Sequence, residues 1–300
     1  MKSTKTFVYG VLIGLLGIVM FSSKAVMVKL AYNYEVDSIS ILLLRMLFAF
    51  PFYLAILFWT RKEKSTTHLE PRDNYWLIGF GIIGYYSSSY FDFVGLSYIK
   101  ASLERIILFL YPTMVLLLNK VFLKKPITKV QVGAILLTYL GVLLAFGDEV
   151  SISGSDTYIG GIFILLSAIT YAAYLVGSGW LIPKFGVTKF TSYAMIVSCF
   201  CVFIHFLVVN KADIFGLPNQ VYVLGFLIAI IATVIPSFLV SKSISMINSS
   251  NFAIVAGAGP ISTIILASIF LGEVLTLLQL FGALVVIAGI VIVSTRKGTD

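Results

Sequence analysis

Charge is what this 300-residue sequence has least of: 11% of it is Asp, Glu, Lys or Arg, while 59% is hydrophobic. A soluble chain averages about a quarter charged and about half apolar. A domain of this length buries at most about three quarters of its unfolded surface, so the surplus apolar surface has to face lipid. A mean hydropathy of +1.03 leaves no room for a sizeable soluble domain. Cysteine is almost absent too. Cys199 and Cys201 lie two apart in an apolar run, on different faces of a helix, which disfavours a disulfide or a metal pair. The histidines are only His68 and His205, and no CxxC, HExxH, Walker-type or GxSxG sequence occurs. An embedded metalloenzyme or serine hydrolase loses its main warrants, and the sequence predicts no enzyme, no cofactor and no metal. The net charge of +8 would suggest nucleic acid in a soluble chain. Here the basic residues fall between apolar runs, so they read as membrane topology and no nucleic-acid partner is expected.

What is present is long apolar runs. A span needs about 20 apolar residues, and ten candidates fall near 7–28, 38–59, 75–98, 102–122, 128–147, 158–181, 188–209, 219–241, 250–271 and 275–294. The first follows Lys2 and Lys5 as a signal peptide would, but no small-x-small cleavage site ends it, so it reads as a retained helix. Loop charges test the count. With the N-terminus inside, the inner segments hold 15 Lys and Arg and the outer loops only Lys29, Lys100 and Lys211. The loop with Asp148, Glu149 and Asp156 carries no basic residue. A miscount by one span would scramble this bias, so ten helices with both termini cytoplasmic are expected.

The chain also resembles itself. A shift of 148 positions aligns Pro112 with Pro260, Thr128 with Thr276, Gln131 with Gln279 and Gly141 with Gly289. With five helices per half, equivalent helices run in opposite directions. Such inverted repeats belong to transporters, whose interchangeable halves give inward- and outward-open states. The stretches GLSYIKASLERIILFLYPTMVLLL and FLGEVLTLLQLFGALVVIAGIVIV resemble the EamA-type family of the drug/metabolite transporter superfamily. In that pattern each half ends in a proline-bearing helix, a short charged turn and a glycine-containing helix. The first half departs from the glycine-glutamate turn, with Lys124, Lys125 and Pro126 in its place. The resemblance implies two EamA-like halves, 1–147 and 158–295, in a multi-pass protein of a bacterial inner membrane. It also implies secondary transport, often export, of amino acids or related small metabolites.

Five ionisable residues fall inside the spans: Lys24, Arg45, Asp92, Glu104 and Arg105. Each costs about 2.5–3.5 kcal/mol at a helix centre unless paired or hydrated. All belong to the outer half of the first repeat, and the second half offers only His205. An ion-pair network pinning helices together is one reading and substrate or proton coupling the other. Glu104 and Arg105, about 100° apart on a helix, are expected to find partners on other helices. Arg45 offers a fixed fork to a carboxylate of the protein or of a substrate. Glu104 or Asp92 would pair with Arg45 or Lys24 in one state and exchange that partner for substrate or proton in another. Tyr85, Ser88, Ser89 and Asp92 share one helix face and line a cavity or bond a neighbouring helix, with Tyr171 on the opposite wall. Pro112 and Pro260 are expected gating kinks. Gly10, Gly14 and Gly17 form a packing stripe first and a homodimer contact second. Gly133, Gly141, Gly282 and Gly289 suit close helix contacts.

The leading expectation is therefore a carrier working by alternating access, with a small-molecule substrate, the lipid bilayer as its medium and protons as candidate coupling ions. A channel or facilitator is the first alternative, and a non-transport membrane subunit the next.

Overall fold

A computed structural model describes residues 4–60, 69–99, 101–146, 155–209, 214–271 and 277–295, and among these it is helical without a strand. Several predicted loop charges lie outside the described residues: Lys2, Arg61, Lys62, Lys64, Lys100, Lys211, Arg296, Lys297, Asp148, Glu149 and Glu273. Helix is what the composition demands, because lipid offers backbone groups no partner and a helix satisfies them internally. In chain order the helices are α1 (Thr4–Tyr32), α2 (Ser38–Trp59), α3 (Pro71–Phe80), α4 (Ser88–Tyr98), α5 (Ala101–Leu108), α6 (Tyr111–Phe122) and α7 (Lys129–Phe146). They continue with α8 (Ser155–Phe185), α9 (Val187–Val209), α10 (Asn219–Ala229), α11 (Ile235–Val255), α12 (Ala258–Leu271) and α13 (Leu277–Thr295). Two π-helical turns, Gly81–Ser87 and Ile230–Val234, join α3 to α4 and α10 to α11.

Among the described residues, five helical stretches are long and apolar enough to cross a membrane: Lys5–Tyr32, Ser38–Trp59, Thr157–Phe185, Val187–Val209 and Asn219–Val255. Shorter apolar helices run over Lys129–Leu144, Ala258–Phe270 and Leu280–Ile292. Leu12, Leu136, Ile204 and Leu284 are exposed on the outside of the bundle, as lipid-facing residues of a multi-pass membrane protein should be.

Several starts and stops have local causes. The Asp37 carboxylate accepts from the N–H groups of Ile39 and Ser40, both at 3.0 Å, and so caps α2. Glu70 and Asp73 form a capping box at α3, with Pro71 in the first turn. Pro112 removes the donor that would bond the carbonyl of Leu108, and α5 ends at Leu108. Pro260 does the same to Ala256, and α11 ends at Val255. The two interruptions match to within one residue under the shift of 148, and Ile82–Tyr86 maps in the same way onto the π turn Ile230–Val234. The reversal expected across 242–249 is far tighter. Helix continues to Ile247, and only Asn248 leaves it, at φ 64°. Its side chain accepts from the Asn251 N–H at 3.0 Å and caps the next segment.

The glycine stripe of α1 is filled from within the chain. A Cβ at Gly14 would meet the Ser243 hydroxyl of α11 at 2.6 Å, and that hydroxyl donates to the Gly10 carbonyl at 2.8 Å. This face has no room for a second chain. Gly141 and Gly289 bring α7 against α13 in the same way, whereas Gly133 has no neighbour within 4 Å. The expectation of a close contact at Gly133 is therefore corrected: its face is open.

Candidate functional site

Four of the five intramembrane charges meet. Lys24 of α1 donates to the Asp92 carboxylate of α4. Glu104 and Arg105 lie on α5, which packs against both α1 and α4. All four are buried. Contrary to the expectation of separate partners, Arg105 Nε contacts Glu104 Oε2 at 3.0 Å. Side chains this long fold back across the 100° between adjacent helix positions. The contact is close but not aligned as a hydrogen bond: both Glu104 oxygens, Arg105 Nε and Nη2, and Asp92 Oδ1 lack a hydrogen-bond partner. Two cations and two acids balance in charge, but several donors and acceptors remain unsatisfied.

Arg45 stands apart from this quartet. Its Nε donates to Thr233 Oγ1 at 2.7 Å and its Nη1 to Ser89 Oγ at 3.1 Å. The guanidinium lies 5.5 Å from the Phe93 ring and 6.0 Å from the Tyr85 ring. Among the described residues no carboxylate forms an ion pair with it, so the expected pairing of Arg45 with Glu104 or Asp92 is absent here.

Two small cavities adjoin the quartet. Lys24, Tyr85, Ser88, Ser89, Asp92 and Tyr171 line one. Ser22, Arg105, Tyr111, Tyr171, Gly259 and Pro260 line the other. Phe21, Leu108 and Tyr171 border both and so separate them. Each has a volume of about 30 Å³, room for a water or two at about 10–15 Å³ each and too little for a metabolite. Tyr171 anchors the partition, stacking on Phe21 at 6.3 Å and meeting Tyr111 edge-on at 5.3 Å.

Of the sequence-predicted residues, Lys24, Tyr85, Ser88, Asp92 and Tyr171 thus share one cavity, and Arg105, Tyr171 and Pro260 share the other. Glu104 sits behind them, and Pro112 touches neither, though its neighbour Tyr111 does. The polar face of α4 both lines the cavity and bonds across helices, since Ser88 Oγ lies 3.2 Å from Ser167 Oγ. His205 accepts or donates at Nδ1 with the Tyr86 hydroxyl at 2.9 Å, an ordinary interhelical bond.

Sequence reasoning missed the polar links at the opposite end of the bundle. Asn119 of α6 donates to Ser249 and Ser250 of α11 at 3.2 and 3.0 Å. Gln131 of α7 donates to Asn251 at 3.1 Å. Lys184 of α8 donates to Asp73 of α3 at 2.6 Å and lies 4.8 Å over the Trp180 ring. Every one of these links joins residues before 147 to residues after 158. The only sequence signal was a set of ordinary polar residues near helix ends.

The hydrogen bond from Lys184 holds the Asp73 carboxyl below its ordinary value of 3.8, against the opposing push of burial. A carboxyl lowered on folding contributes stability that is complete above its unfolded value and fades as pH falls through the folded one. Lys184→Met is therefore expected to lower the melting temperature near pH 7, and the difference from wild type should shrink as pH falls below 3.8 through the lowered folded value. Melting curves of both proteins across that range check this.

Comparison with known proteins agrees with this architecture. The profile of the EamA-like transporter family matches residues 8–147 and again 158–295. The uncharacterized transporter YcbK of Bacillus subtilis (strain 168) is 31% identical over 277 residues, 91% of this chain and 88% of that protein. The uncharacterized transporter YyaM of the same organism is 26% identical over 249 residues, 80% of this chain and 79% of that one. A solved crystal structure superposes with a TM-score of 0.77 at 13% identity, covering 96% of this chain and 98% of the other, a likeness of fold alone.

Proposed function

Because the chain belongs to the EamA-like transporter family, we propose that it is a secondary active transporter of small metabolites such as amino acids, working by alternating access. In this reading ten helices cross a bacterial plasma membrane with both termini inside, as two inverted halves, 1–147 and 158–295. The substrate passes between the halves, outward in the working direction, and Lys24, Asp92, Glu104 and Arg105 couple its movement to protons. Most support comes from one arrangement. The broken helices α5–α6 and α11–α12, interrupted at repeat-related positions, converge with the buried charges on the cavities divided by Tyr171. Interrupted helices at equivalent places in two halves mark the region where transporters bind and move. The links from Asn119, Gln131 and Asp73 would then form the inner gate, closed in this structure.

Purified protein in liposomes tests the proposal. A carrier shows saturable uptake, accelerated by unlabelled substrate trapped inside. Single-channel conductance without counterflow would establish the channel instead.

A further inference from the structure

Arg45 is a fully buried cation that forms no ion pair with a carboxylate among the described residues. Its relative exposure is 0%, two of its nitrogens are held by neutral hydroxyls, and Nη2 has no partner at all. The acids of the quartet contact other cations: Asp92 contacts Lys24, and Glu104 contacts Arg105. The charges within the spans of the first repeat thus number three cations against two acids. Burying an unpaired charge is costly enough that buried cations are normally matched, and the expense is greater in a lipid-embedded bundle.

The surroundings hold this guanidinium in a fixed pose. The Thr233 hydroxyl donates to the Ile228 carbonyl five residues back, at 2.8 Å, within the π turn Ile230–Val234. Its lone pairs are left to accept from Arg45. Ser89 and Tyr85 both touch Arg45 and both line the cavity beside Asp92. They are the layer between the guanidinium and the space that a substrate would enter.

We propose that Arg45 binds the carboxylate of the transported molecule, so that the substrate class is small organic carboxylates. This deepens the transporter reading and rests on it. When the cavity widens, Ser89 yields and a carboxylate takes the fork from Nη1 and Nη2, satisfying the unpartnered nitrogen. A guanidinium matches a carboxylate with two parallel bonds, which a carboxamide of the same shape cannot reproduce.

The test is thermal unfolding of the purified full-length protein with paired probes: acetate and acetamide, L-leucine and L-leucinamide, benzoate and benzamide. At least one carboxylate is expected to raise the melting temperature in a saturable way where its amide does not, since a ligand that binds the folded state stabilises it, whereas general salt effects do not saturate and are the same in Arg45→Gln. Arg45→Gln should weaken that carboxylate's binding by about tenfold to a hundredfold, the loss of one charge-assisted interaction, and Arg45→Lys should retain part of it. The wild-type comparison stands even if Arg45→Gln does not fold. Equal stabilisation by acid and amide, no stabilisation by any carboxylate, or unchanged binding in Arg45→Gln each overturns the inference. Counterflow separates it from the reading beneath. Transport of a neutral solute with an unaltered half-saturation in Arg45→Gln sinks the carboxylate site and leaves the carrier. Stabilisation by carboxylates through Arg45 without counterflow of any solute sinks the carrier and leaves the site.

Discussion

Replacing Lys24 with methionine is expected to destabilise the folded protein by about 3–5 kcal/mol, the usual cost of stripping a buried charge of its partner. Lys24 is the aligned donor to Asp92. Without it, Asp92 and Glu104 lie side by side in a bundle core with only Arg105 to offset two acids. Adding Asp92→Leu should recover most of the loss, because replacing both members of a buried pair by apolar groups is often neutral or stabilising. The double-mutant cycle, read from thermal unfolding in detergent, separates the two contributions. Equal losses for the single and double variants would mean that packing around α1, not charge, holds this region.

Glu104→Gln is expected to abolish accumulation driven by a pH gradient while leaving counterflow intact. Glu104 is fully buried, its contact with Arg105 is not aligned, and neither of its oxygens has a hydrogen-bond partner. A buried carboxylate without hydrogen bonds is costly, and taking up a proton removes that cost. In the proposed transport cycle Glu104 is therefore the acid that would carry the coupling proton. One pH unit supplies 1.36 kcal/mol per proton, so wild type coupled to one proton should concentrate substrate up to about tenfold per unit of imposed gradient. Glutamine keeps the shape and cannot release the proton, so accumulation should fall to the level without a gradient. An identical response in Glu104→Gln would remove this residue from coupling.

The sequence made the helical class, the membrane setting and the approximate positions of most helices legible, because each rests on local physics. Pro112 and Pro260 lose a donor whatever surrounds them, so their breaks could be placed in advance. Lys24, Arg45, Asp92, Glu104 and Arg105 stood out because charge in an apolar run has a cost that needs a reason. What could not be read depends on the partner. Arg45 could have met a protein acid, and only the packed bundle places Thr233 and Ser89 there instead. The π turns carry no signature of their own in sequence, and their repeat relation emerges only from backbone geometry. The mutual contact of Glu104 and Arg105 was missed because helix-face reasoning ignores how far these side chains bend. Asn119, Lys184 and Asp73 looked like ordinary helix-end residues until the two ends of the chain were brought together.

Alternating access would require the two halves to move apart at the end closed by Asn119. The most direct measurement is counterflow in liposomes by Asn119→Cys/Ser249→Cys, made with Cys199 and Cys201 replaced by alanine. The Asn119 amide reaches Ser249 Oγ at 3.2 Å, so cysteines at these positions face each other and a disulfide or a short disulfide-containing bis-thiol linker joins α6 to α11 here. Oxidation is predicted to stop flux in both directions, and reduction to restore it. Undiminished flux through the cross-linked protein would contradict alternating access.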